Sequence, residues 1–233
     1  MSEFPYKAAV IVGVGPGISA SLARRLASLG TRVVLAARNI GKLERLVEEI
    51  DAHAFAADAG DAASVAKLFD EADAVLGEPD LVVFNAQARL RGPLIDLDSG
   101  KVASALSVGA LGGFFVAQQA ARRMVPRGRG AILFTGATAS LKGYAHSAPF
   151  AMSKFALRAL AQSAARELGP KGIHVAHFVI DGAVRSNEHP DPPGNPDSTL
   201  DPDAIAQTYV DVLRQHRSAW SLEVELRPWV ERF

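Results

Sequence analysis

Short apolar runs alternate with longer stretches of helical periodicity through most of this chain. Residues 8–12 form a continuous apolar run of strand length, and residues 16–29 follow with helical spacing and Gly30 as the stop. The same alternation predicts a strand over 32–36, an amphipathic helix over 40–50, a short strand over 53–57, a helix over 61–76 opened by an acidic cap, and a strand over 81–84. A long helix is expected from about 98 to 124, then a strand over 131–134, a helix over 148–168 ending at Gly169-Pro170, and a strand over 174–180. Residues 187–202 are rich in Pro, Asp, Asn and Gly and read as a mobile loop, followed by a helix over 202–214 and a last strand over 222–226. Strands that alternate with helices require right-handed crossovers, so the expected fold is α/β: a doubly wound, parallel sheet of about seven strands with helices on both faces, the Rossmann architecture. No internal repeat or long linker divides the 233 residues, so one domain over 1–233 is expected, with 187–202 as a lid-like loop.

Composition narrows the chemistry. Lys and Arg number 25, as do Asp and Glu, so net charge gives no reason to expect nucleic acid or a membrane surface as partner. There is no cysteine, which excludes disulfides, thiolate nucleophiles and cysteine-bound metal, and suits a cytoplasmic protein. His189 and His216 show no metal-ligand spacing and His53, His174 and His177 fall on predicted strands, so no metal site is expected. The N-terminal residues carry Glu3 and Pro5 and lack a signal-peptide pattern. Residues 102–121 carry no charge and are long enough to span a bilayer, but they hold Ser104, Ser107, Gln118, Gln119 and three glycines. A soluble helix packed closely through small residues such as Gly109 and Gly113 is the better reading than a membrane span.

The turn after the first strand reads Val12-Gly13-Val14-Gly15-Pro16-Gly17-Ile18-Ser19. A diphosphate needs backbone N–H donors at close range and the positive end of a helix dipole, and side chains would block that approach. Glycines at Gly13, Gly15 and Gly17, with Ile18 opening the helix, meet this need at the first strand-to-helix junction of a βαβ pattern. The second strand ends at Ala36-Ala37-Arg38 with no carboxylate to receive a ribose 2′-hydroxyl. Arg38 can instead pair with a 2′-phosphate through its planar fork of donors, which favours NADP(H) and leaves NAD(H) as the alternative.

With Gly13-x-x-x-Gly17, further segments resemble the short-chain dehydrogenase/reductase family along nearly the whole chain. Asp58 follows the third strand, where the family contacts adenine. Phe84-Asn85-Ala86-Gln87 resembles the family's Asn-Asn-Ala-Gly, with Gln87 in place of the glycine. Asp181-Gly182-Ala183-Val184-Arg185-Ser186 resembles the Pro-Gly-x-x-x-Thr segment beside the nicotinamide. The resemblance therefore implies Asn85, Ala86, Gly182, Val184 and Ser186 as further cofactor contacts. Phe150-Ala151-Met152-Ser153-Lys154 stands where the family has Tyr-x-x-x-Lys. Lys154 is thereby implied to bind the nicotinamide ribose, but Phe150 can neither give nor take a proton. By the family's usual spacing, its serine falls at Ala137, flanked by Thr135 and Thr138, and its asparagine at Gly109 or Ala110.

Loss of a general acid typically costs ~10²–10⁴ in rate, whereas hydride transfer needs only the cofactor and a placed substrate. Two readings follow. One is an NADP(H)-dependent oxidoreductase of non-standard active site acting on a small molecule, with Lys154 retained and Tyr144 or Thr138 supplying a hydroxyl; His146 is a weaker candidate. The other is a catalytically silent dinucleotide-binding protein that serves as sensor, scaffold or complex subunit. The family's equivalents of the 102–121 helix and the Phe150 helix pack across a two-fold axis, which implies a homodimer or homotetramer.

Overall fold

In a computed structural model that describes residues 3–186 and 189–231, the chain forms one seven-stranded, wholly parallel sheet of order β3-β2-β1-β4-β5-β6-β7. The strands are β1 (Ala8–Val12), β2 (Arg32–Ala37), β3 (His53–Ala56), β4 (Leu81–Phe84), β5 (Gly130–Thr135), β6 (Ile173–Ile180) and β7 (Glu223–Leu226). Between them run α1 (Ile18–Ser28), α2 (Glu44–Ile50), α3 (Ala62–Leu76), α4 (Ser99–Leu106), α5 (Gly112–Met124), α6 (Ala148–Leu168) and α7 (Pro202–Leu213). The doubly wound α/β reading is met, and most element ends fall within a residue or two of the expected ones. Residues 187–188, where the expected loop begins, and both chain ends lie outside the described residues.

Period-two alternation sorts the central strands between two cores. Ala9 and Ile11 of β1, Leu81 and Val83 of β4, and Leu133 of β5 face α1 and α7. Val10 and Val12, Val82 and Phe84, and Ile132 and Phe134 face α3, α5 and α6. Both faces are covered, which is why these strands read as unbroken apolar runs.

Two expected helices differ in detail. The first turn of the 40–50 helix is a 3₁₀ segment, Ile40–Leu43, begun by the Asn39 side chain accepting from the Gly41 N–H at 3.1 Å. The long helix is interrupted by a π turn, Ser107–Leu111, between α4 and α5. A Cβ on Gly109 would lie 2.8 Å from Ser153 Cβ, one on Gly112 would lie 2.6 Å from the Ala59 carbonyl oxygen, and one on Gly113 would lie 2.4 Å from Leu157 Cδ1. The small residues thus let the rod press against α6 and the loop after β3. By length and composition the Ser99–Arg127 rod could cross a membrane; here it lies along the sheet.

The amino ends of β1 and β4 are tied by Asp80, a buried carboxylate that accepts from the Lys7 N–H at 3.0 Å and the Ala8 N–H at 3.0 Å. Hydrogen bonds to a charged acceptor are worth ~1.5–3 kcal/mol each, and their loss would strand two amides. Asp80→Ala is expected to lower unfolding free energy by ~2–4 kcal/mol in urea titration, without altering dinucleotide affinity, because the site lies at the opposite ends of these strands. A loss below half that size would show that the carboxylate is not a structural tie.

Candidate functional site

The strand order reverses direction between β1 and β4, and in open parallel sheets ligands sit in the crevice at the carboxyl ends of such a pair. The two loops leaving these strands meet there. Gly13 has φ +87°, and a Cβ on it would lie 2.3 Å from the Ala86 backbone nitrogen, so only glycine permits the approach. Asn85 locks the junction: its amide donates to Ser19 Oγ at 2.6 Å, and Ser19 donates to the Gly13 carbonyl at 3.3 Å.

The amides of the turn divide into two sets. The Gly13 and Val14 N–H groups both donate to the Ala36 carbonyl, at 2.9 and 3.1 Å, so they are spent on holding the turn against β2. This corrects the expectation that Gly13 itself presents a donor; its part is steric. No partner is recorded among the described residues for the Gly15, Gly17, Ile18 or Ser19 N–H, and no side chain caps α1. Cβ positions built on Gly15 and Gly17 meet nothing within 4 Å. An uncapped helix start facing open space, floored by glycine, fits a diphosphate.

A cavity of about 840 Å³ extends from this turn, in the size range of cofactor sites. Its wall includes Gly13, Gly15, Gly17, Ile18, Arg38, Asp58, Asn85, Ala86, Val184 and Ser186, so most of the expected cofactor residues are gathered in one groove. Asp58 uses Oδ1 to accept from the Gly60 N–H at 2.9 Å. Beside Arg38 stand Lys42 and Arg45, which the sequence reading did not single out. No ion pair is recorded for these three among the described residues, and no carboxylate on the wall lies at the end of β2. The signal that would have found them is the basic face of the segment just after Arg38.

A second cavity of about 450 Å³ continues past Ile18, Asn85, Gln87, Arg89 and Val184, which it shares with the first. Lys154, Tyr144, Thr138, Phe150 and Gly182 line it. Gly182 has φ +149°, and a Cβ there would press on Pro228 at 2.8 Å. Lys154 is 2% exposed; its ammonium donates to the Thr135 carbonyl at 2.7 Å and lies 5.8 Å from the Phe150 ring centre. Burial, with a smaller push from Arg89, lowers its pKa to about 7. Thr138 donates to Asp181 Oδ1 at 2.5 Å, which commits its proton and leaves its lone pairs for the cavity. Tyr144 is half exposed at the rim, with Lys142 Nζ 5.9 Å from its ring centre. His146 is exposed and does not contribute to the wall, whereas His189, which the sequence reading set aside, does.

The loop after β6 is tied back. Arg185 pairs with Asp191 at 3.4 Å, with Asp197 at 3.6 Å and with Asp201, while Asp191 also accepts from the Thr199 hydroxyl at 2.6 Å. These bonds hold the Asp191 carboxyl down to about 2, the Thr199 hydroxyl contributing most.

A short chain dehydrogenase profile matches residues 7–188. Among curated proteins, a versicolorin reductase of Emericella nidulans is 34% identical over 187 residues, covering 78% of this chain and 70% of that protein. An L-2,3-butanediol dehydrogenase of Corynebacterium glutamicum is 30% identical over 186 residues, covering 76% and 72%. Among solved structures, a short-chain dehydrogenase from Rhodopseudomonas palustris is 35% identical, with TM-score 0.82 over 96% of this chain and 99% of that one. A metagenomic short-chain oxidoreductase in complex with NADP is 28% identical, with TM-score 0.85 over 99% and 100%.

Lys154 gives a signed pH prediction. Its folded pKa of about 7 lies below its ordinary value of 10.5, so between these limits the unfolded chain binds the extra proton. The burial penalty is full below pH 7 and is relieved as pH rises toward 10.5. Relative to Lys154→Met, cofactor-free wild type is expected to gain stability across that window in urea titrations at successive pH values. Parallel stability curves would contradict the burial of a titrating amine.

Proposed function

Since the chain belongs to the short-chain dehydrogenase/reductase family, we propose that it is an NADP(H)-dependent oxidoreductase of a small molecule whose active site uses Phe150 where the family has its phenol. The observation that carries this reading is the continuity of the two cavities: a dinucleotide-sized groove runs into a chamber with a buried lysine at its inner end. Gly15, Gly17 and Ile18 would take the diphosphate, and Arg38 with Lys42 and Arg45 the 2′-phosphate. Asp58, Asn85 and Ala86 would border the adenine and its ribose. Gly182, Val184 and Ser186 would flank the nicotinamide, with Lys154 on its ribose. NAD(H) would bring no 2′-phosphate to Arg38 and Lys42 beside the second strand, which is why NADP(H) is preferred.

A bound nicotinamide would supply the hydride. The chain's own residues then set the rest. Phe150 walls the chamber without handling a proton. Thr138, with its proton held by Asp181, serves as an acceptor that orients the substrate. Lys154, poised near neutrality, and the Tyr144 hydroxyl at the rim are able to donate, and His189 is a further proton carrier on the same wall. A cytoplasmic setting belongs to the same reading and rests on the cysteine-free composition. Phe150 also favours the second reading, a silent dinucleotide-binding protein, because no side chain at that position can do the usual acid work.

Leu111, Phe114, Met152 and Phe155 are each about half exposed on the π turn, α5 and α6. We attribute this apolar strip to self-association as a homodimer or homotetramer. Sedimentation at micromolar concentration is expected to give an oligomer, and Phe114→Glu a monomer; a monomeric wild type would contradict the assignment.

NADPH is expected to bind with quenching of intrinsic fluorescence. A charge-assisted contact is worth ~1.5–3 kcal/mol, so Arg38→Asp should weaken NADPH ~10- to 100-fold while changing NADH little. Equal losses for both, or no NADPH binding, would remove the cofactor assignment. With carbonyl, imine and enone substrates, turnover abolished by Tyr144→Phe would place the proton on that hydroxyl. Saturable binding without any turnover would favour the silent reading.

A further inference from the structure

The walls of the inner chamber are unbalanced in charge. Arg89, Arg91 and Lys154 line it, and among the described residues no carboxylate side chain does. Arg24, Arg123, Arg127, Arg158, Arg185 and Arg227 each have a carboxylate partner, whereas Arg89 and Arg91, both exposed on the loop after β4, stand with Arg38 and Arg45 among the arginines at the two cavities for which none is recorded among the described residues. No ion pair or hydrogen bond of the Arg89 or Arg91 side chain is recorded among the described residues. The one contact recorded for Arg89 is the face of Phe150, 5.3 Å from guanidinium carbon to ring centre. Asp181, just behind the wall, is already answered by the Thr138 hydroxyl at 2.5 Å and by Arg227 at 3.9 Å. Lys142, over the Tyr144 ring, adds a further cation near the rim.

We infer that Arg89 and Arg91 form an anion subsite that selects a small organic carboxylate as the ligand of this chamber. Two unpaired guanidinium forks at one cavity wall match the planar, two-oxygen geometry of a carboxylate. Phe150, Ala137 and Ile180 on the same wall suit the apolar body of an organic acid better than a bare inorganic anion. The position of Phe150 gains a physical role: its ring face holds the Arg89 guanidinium at the chamber through a cation–aromatic contact. Burial is the main cause of the lowered Lys154 pKa, and Arg89 adds a smaller push in the same direction, which places its charge within reach of the ammonium. Arg89 also borders the larger groove, so the competing source of negative charge is the dinucleotide's own diphosphate. Arg91 borders only the inner chamber and separates the two.

The inference deepens the oxidoreductase reading and rests on it only for placing the carboxylate beside a nicotinamide; the subsite itself needs no cofactor. It is tested by calorimetry with benzoate and its neutral counterpart benzamide, on cofactor-free and NADP⁺-loaded protein, with NADPH affinity measured in parallel. Benzoate is expected to bind at least tenfold more tightly than benzamide. Arg91→Gln and the double variant Arg89→Gln/Arg91→Gln should each cost benzoate at least tenfold, with NADPH affinity unchanged in the single variant. Phe150→Leu should weaken benzoate by releasing Arg89. Equal affinity for benzoate and benzamide, or full benzoate affinity in the double variant, would overturn the subsite. So would a loss of NADPH affinity in Arg91→Gln as large as the loss of benzoate affinity, since the arginines would then serve the diphosphate. Arginine-dependent benzoate binding in a protein that does not bind NADPH would keep the subsite and remove the oxidoreductase reading.

Discussion

The hydrogen bond from the Lys154 ammonium to the Thr135 carbonyl ties the two layers of the molecule to its cavity. Thr135 ends β5 and works in two directions. Its carbonyl takes the lysine from α6, and its hydroxyl meets the Tyr209 hydroxyl from α7 at 2.9 Å. Tyr209 is fully buried and stacked on Phe178 of β6, ring centres 3.6 Å apart. One residue therefore registers a helix on each face of the sheet against the strand end where the chamber opens. A single neutral acceptor is little compensation for burying a cation, and the fall of the lysine pKa to about 7 measures that shortage. With arginines on the same wall, the chamber has no carboxylate among the described residues to answer its cations. Ribose hydroxyls and an anionic substrate group would supply acceptor oxygens and negative charge.

The groove that would bring such groups is fixed by a close backbone crossing. β1 and β4 are sequence-distant neighbours, and their following loops touch through Gly13 and Ala86. Spending the Gly13 and Val14 amides on Ala36 fastens the turn to β2 as well, so three strand ends set its position. Only after that fastening does the chain turn into α1 with its amides free. Preorganisation here comes from the sheet: the donors face the groove because the residues before them have been used up in the fold.

The sheet was legible in the sequence because a strand covered on both faces must be apolar throughout, and Leu81–Phe84 or Ile132–Phe134 can hardly be read otherwise. The turn was legible through its glycines, though the division of labour among them was not, since it depends on where Ala36 and Ala86 arrive in space. The π turn at Ser107–Leu111 left no trace in the apolar pattern, which stays helical; it arises where Gly109 meets Ser153 and Gly112 meets Ala59. The expected mobile loop hid its ties for a similar reason. Arg185, Asp191 and Asp201 read as scattered surface charges until the chain folds back and pairs them. Arg89 and Arg91 were passed over because two arginines in a loop are ordinary. Their meaning depends on the absence of carboxylates around them among the described residues, and absence in space cannot be read from neighbours in sequence.

That leaves the question of why a chain with Phe150 keeps Lys154 at all. Stability gives no answer, because a buried amine with one carbonyl partner destabilises the fold across most of the neutral range, and an apolar side chain of similar length would fill the same space at lower cost. Nor does pairing with a phenol, since there is none at the preceding turn. A protein that bound no ligand there would have no use for a cation that its own fold penalises. The penalty is offset only if something enters the chamber that the ammonium can hold, such as hydroxyls of a ribose or oxygens of a substrate. On that ground the buried lysine argues for an occupied chamber, which a catalyst and a silent dinucleotide binder both require, and the proton donor is what separates them.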